Sequence, residues 1–103
     1  MHYAICGHFQ NNKATEFLQL LTDGSIASQE PDGKEIVASM QRASIDESGT
    51  VRWSEVCYCP TPLEHERATV YDHFFSQLKT SVIDGYHDFP GRPFLEFLRD
   101  QAS

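Results

Sequence analysis

Cys57-Tyr58-Cys59 concentrates more chemistry than any other stretch of this sequence. Residues two apart on a strand point to one face, so the two sulfurs are expected to project together. Cys6 sits on an earlier strand-like segment beside His8, and His65 follows Cys59 by six residues. Three thiolates and an imidazole would make a tetrahedral zinc set. The spacing is C-x-C rather than the C-x2-C of common zinc modules, and alternation sets Cys6 and His8 opposite the other two cysteines. Free cysteine is also among the most buried residue types. The leading reading therefore assigns no metal and no cofactor.

Glu55 shares the expected strand face of Trp53, Cys57 and Cys59. A carboxylate among such groups is desolvated, which raises its pKa. With His8 or His87 as partner it would suit general acid–base work. The plainer alternative pairs Glu55 with Arg42 or Arg52 across a hairpin. His65 and His73 are eight residues apart on one helix, about 12 Å along its axis, too far for one metal. His65-Glu66 begins an H-E-x-x-H pattern, but Thr69 stands where the second histidine is due. Serine-nucleophile, P-loop and dinucleotide-binding motifs are absent.

These residues need elements to position them. His2 to Phe9 alternates as a first strand, with Tyr3, Ile5 and Phe9 on one face and Ala4, Cys6 and His8 on the other. A helix follows, with Asn11 or Asn12 as cap, an apolar stripe at Ala14, Phe17, Leu18 and Leu21, and Gly24 as its stop. Pro31-Asp32-Gly33 is a turn. Lys34 to Asp46 reads as a second strand and Val51 to Cys59 as a third, joined through the Gly49 hairpin loop. Pro60 stops that strand, and Thr61-Pro62-Leu63-Glu64 reads as a capping box. The helix it opens buries Leu63, Val70, Tyr71, Phe74, Phe75 and Leu78, with His65, Glu66 and His73 on its polar face. Ser81 to Phe89 is a fourth strand, and Pro93 opens a short terminal helix. The order β-α-β-β-α-β predicts a ferredoxin-like α+β domain over residues 1–103, with two helices on one face of a four-stranded antiparallel sheet.

Eight Lys and Arg against fifteen Asp and Glu give a formal charge of −7. No basic patch is present, so nucleic acid and anionic membranes are expected to be repelled. Tyr3, Phe9, Trp53, Tyr58 and Tyr86 would otherwise suggest a base-stacking platform. An odd cysteine count without an evident secretion signal predicts a soluble cytoplasmic domain, and no apolar run approaches a membrane span.

Several strands carry apolar residues on both faces, which predicts that something covers the open side of the sheet. The expectation is a homodimer through that face, acting as a ligand- or protein-binding domain. Trp53, Glu55, Tyr58, His8 and His87 are the residues expected to line its pocket, with no catalytic residue assigned. The alternatives are a small acid–base enzyme using Glu55 or a histidine, and a zinc or thiol module built on Cys6, Cys57 and Cys59.

Overall fold

The computed structural model, in which residues 1–102 are described, is α+β: a five-stranded antiparallel sheet with four helices. The strands are β1 (His2–Phe9), β2 (Ser44–Ile45), β3 (Thr50–Val56), β4 (Phe75–Ile83) and β5 (Arg92–Pro93). The helices are α1 (Ala14–Thr22), α2 (Gly33–Arg42), α3 (residues 64–74) and α4 (Phe94–Ala102). Strand order is β4-β1-β3-β2-β5, and every neighbouring pair is antiparallel.

This arrangement corrects the ferredoxin-like expectation in both strand number and order. The decisive segment is the one read as a second strand. Most of it is α2, and only Ser44–Ile45 pairs as a strand. Ile36 and Met40 alternate as a strand would, but Ile36, Ser39, Met40 and Ala43 are the buried set, spaced by three, one and three. That is a helical stripe, and Lys, Glu, Ala, Met, Gln and Arg around it are all strong helix formers. Glu35 in the first turn and Arg42 in the last complement the helix dipole.

The fourth strand is also displaced. Phe75 turns extended (φ −122°, ψ 153°), so α3 ends at Phe74 and the strand runs Phe75–Ile83 rather than Ser81–Phe89. The C-terminal end of α3 is met from the β1–α1 junction: the Gln10 N–H donates to the Phe74 carbonyl at 2.9 Å, and Lys13 Nζ to that of His73 at 2.7 Å. Cys6 and the third strand are antiparallel neighbours, with Cys6 opposite Arg52.

The first strand, the helix after it and the terminal helix form where expected. Tyr3, Ile5 and Phe9 are buried beneath the helices, with Ala4, Cys6 and His8 half-buried on the reverse side. The core is aromatic at one end. Phe9, Phe17, Phe74, Phe75 and Phe94 meet there, the closest pair being Phe17 and Phe74 at 4.3 Å between centroids. Beside this cluster, Trp53 and Tyr71 carry the core on to two buried carboxyl groups, Glu55 and Glu66, which mark the candidate site.

Candidate functional site

β3 delivers Trp53 and Glu55 to the helix side, and α3 lies across them. Both side chains are fully buried. Trp53 Nε1 donates to Glu55 Oε1 at 2.8 Å, and the Tyr71 hydroxyl donates to the same oxygen at 2.6 Å. The Glu55 carboxyl also hydrogen-bonds the Glu66 carboxyl. Burial pushes the Glu55 carboxyl up to about 8, against the pull of the two donors, and the neighbouring Glu66 carboxyl adds to the rise. Arg42 and Arg52 do not reach it; they pair with Glu35 and Asp46 instead.

The chain leaves β3 at Val56 and carries both thiols toward α3. Glu66, in the first turn of that helix, is fully buried and meets them with one oxygen. Its Oε1 lies 3.7 Å from Cys57 Sγ and 3.6 Å from Cys59 Sγ. Its carboxyl also hydrogen-bonds the Asp32 and Glu55 carboxyls. The Cys59 N–H donates to Cys57 Sγ at 3.3 Å, and the backbone of Leu63 also hydrogen-bonds that sulfur. Leu63 is buried in the left-handed region (φ 58°), a conformation sparsely populated by a side chain of its kind. The expected Thr61 side-chain cap does not form; the Glu64 N–H reaches the Thr61 carbonyl at 3.1 Å.

On the other side of Glu66, His65 Nδ1 sits 2.8 and 3.0 Å from the two carboxylate oxygens of Asp32. Asp32 is placed there by the start of α2. A Cβ at Gly33 would lie 2.0 Å from the Ile26 carbonyl, so only glycine lets the preceding loop approach so closely. The ligand-type atoms of Cys57, Cys59 and Glu66 all lie within 4.8 Å of one another, and so do those of Asp32, His65 and Glu66. Glu66 belongs to both groups. Burial raises the Glu66 carboxyl, with Asp32 as the next cause, and burial pushes the Cys57 thiol up to about 12. Burial likewise holds the Tyr71 phenol well above its ordinary range.

Of the residues singled out from sequence, Trp53, Glu55, Cys57, Cys59 and His65 are brought together around Glu66 and Tyr71. Tyr58 points outward and is 86% exposed. His8 lies on the reverse face of β1, and His87 stands beyond β4 beside Asp84. Cys6 is also on the reverse face, outside both groups. Helical periodicity sets Glu66 on the polar face, whereas the structure buries it. The signal that could have found it is its place at the head of a helix shortly after a C-x-C pair, where the first turn must lie against the end of the preceding strand. Two surface grooves, of about 920 and 240 Å³, are lined by other residues and do not reach Glu55 or Glu66.

No protein-family model matches the chain, and neither a curated protein nor a solved structure matches it.

Proposed function

We propose that this chain is a small metal-binding domain that takes a thiophilic divalent cation, zinc by the fit of its donors. Cys57, Cys59 and Glu66 hold the ion, and the Asp32–His65 pair faces its remaining position. The observation that carries this reading is the Glu66 carboxyl: fully buried, its Oε1 in contact with two thiols, and gathered with the Glu55 and Asp32 carboxyls where, among the described residues, no cation is paired with it.

Charge balance supports it. Glu55, Cys57 and Glu66 can all become anions out of water, and of the described residues in the two donor groups His65, paired with Asp32, is the one basic side chain. Acids crowded out of water without a counter-charge must stay protonated, at a cost of several kcal/mol for each that ionises. A divalent cation supplies the missing charge. It also converts raised thiol and carboxyl groups into ligands as their protons leave.

Geometry supports it too. With Zn–S near 2.3 Å and Zn–O near 2.1 Å at a tetrahedral angle, sulfur and oxygen stand about 3.6 Å apart. The observed 3.6 and 3.7 Å already have that spacing. Backbone N–H groups aimed at a cysteine sulfur stabilise the thiolate form that binds metal, and Cys57 has two such contacts. Asp32 orients His65 as a carboxylate orients a ligating imidazole.

The acid–base alternative lacks comparable support. Glu55 is buried and raised, but it is sealed under Trp53 and Tyr71, with neither groove leading to it.

Cobalt substitution tests the reading. The Co²⁺-loaded protein is expected to show thiolate charge-transfer absorption in the near ultraviolet and tetrahedral d–d bands. Cys57→Ser and Glu66→Gln should each weaken or abolish these, and Cys6→Ser should leave them intact. A spectrum matching free Co²⁺, or one that depends on Cys6 alone, contradicts the proposal.

A further inference from the structure

We infer that β4 is a self-association edge, along which a second copy of this chain adds its own β4 antiparallel to the first. β4 pairs with β1 on one side only and ends the sheet, so one side of this nine-residue strand presents unpaired backbone groups. Such a row is a template for another strand.

The side chains favour a copy of the same strand. Leu78, Thr80 and Val82 share the helix-facing side: Thr80 lies opposite Ile5, Val82 opposite Tyr3, and Leu78 lies over Gly7. The helix layer covers Tyr3 and Ile5 but stops short of the edge, leaving Val82 59% exposed. In an antiparallel pairing about a two-fold axis at Thr80, Leu78 of each copy stands opposite Val82 of the other. The two Thr80 residues then face each other, and Lys79 faces Ser81. Apolar and Thr–Thr pairs of this kind are favourable cross-strand neighbours.

Electrostatics points the same way. Two chains of charge −7 repel on average, but Phe75–Ile83 contains no acidic residue and contributes Lys79. This edge is where copies approach with least repulsion. The surface differs from the reverse sheet face expected from sequence, which is partly screened by Phe89 and by Ser54 bonded to the His87 carbonyl at 2.8 Å.

The test is sedimentation equilibrium of the full chain from low to high micromolar concentration, with hydrogen exchange at both ends of that range. The expected result is a reversible dimer whose formation slows exchange in residues 78–83. Thr80→Asp, which sets like charges directly opposite each other, should weaken the dimer about tenfold or more. Its exposed position leaves the monomer's circular dichroism unchanged. A monomer throughout the range overturns the inference, and so does a dimer that Thr80→Asp leaves untouched or that protects other segments.

Discussion

Glu55 and Glu66 are two carboxyl groups without counter-charge in one buried pocket, and their protonation links the site to stability. An unfolded Glu55 loses its proton near 4.5, whereas the folded one keeps it to about 8. Between those values the unfolded state releases a proton that the folded state retains. Stability of the metal-free protein should therefore fall as pH rises through that window, by on the order of a few kcal/mol, and level off above it. Glu55→Gln keeps an oxygen to accept from Trp53 and Tyr71 but cannot ionise. In chelator, its melting temperature should fall less steeply than the parent's from pH 5 to 8, Glu66 supplying the remaining slope, and exceed that of the parent at pH 8. A parallel decline in both proteins would show that another group sets the slope. The shared face of Trp53 and Glu55 was legible because strand alternation is rigid. Glu66 was not, because helical periodicity near a helix start does not say which first-turn side chain is covered by the segment before it.

At the scale of elements, the misread segment shows which signal wins when two compete. Residues 34–46 satisfy a two-residue alternation, but only over a few positions, while helix-forming composition runs through the whole of α2. The summed preference of the backbone decided it. The boundary at Phe74–Phe75 was hidden for a different reason: Phe74 and Phe75 are both buried, one ending a helix and one starting a strand, so the apolar run crosses the junction. Two substitutions probe these elements. Gly33→Ala places a methyl against the Ile26 carbonyl and should destabilise the fold by roughly 1–3 kcal/mol in denaturant titration. It should also weaken metal retention by displacing Asp32; unchanged stability would show that the loop yields freely. Phe17→Ala, which empties the centre of the aromatic cluster, should cost about 3–5 kcal/mol without touching the metal ligands.

For the whole molecule, the expectation of an α+β chain holds, and among the described residues no helix is long and apolar enough to cross a membrane. Topology was the least legible level. One segment exchanged from strand to helix and one strand shifted along the chain change the order of the entire sheet, although the first strand and the outer helices stand where they were expected. The resulting division of labour is physical. A Phe cluster in the core holds the helices to the sheet, and beside Trp53 and Tyr71 the buried Glu55, Glu66 and Cys57 meet the half-buried Cys59 and Asp32. The raised Cys57 thiol should react slowly with alkylating reagents at neutral pH compared with an exposed thiol, and bound metal should slow it further.

Cys57, Cys59 and Glu66 make up the proposed metal site. Metal content per chain, measured by mass spectrometry after purification without chelator and brief zinc supplementation, tests it most directly. One zinc per chain that survives gel filtration, is retained in Cys6→Ser and is lost in Glu66→Gln is the result predicted. A correctly folded, metal-free chain that does not retain zinc would contradict the account.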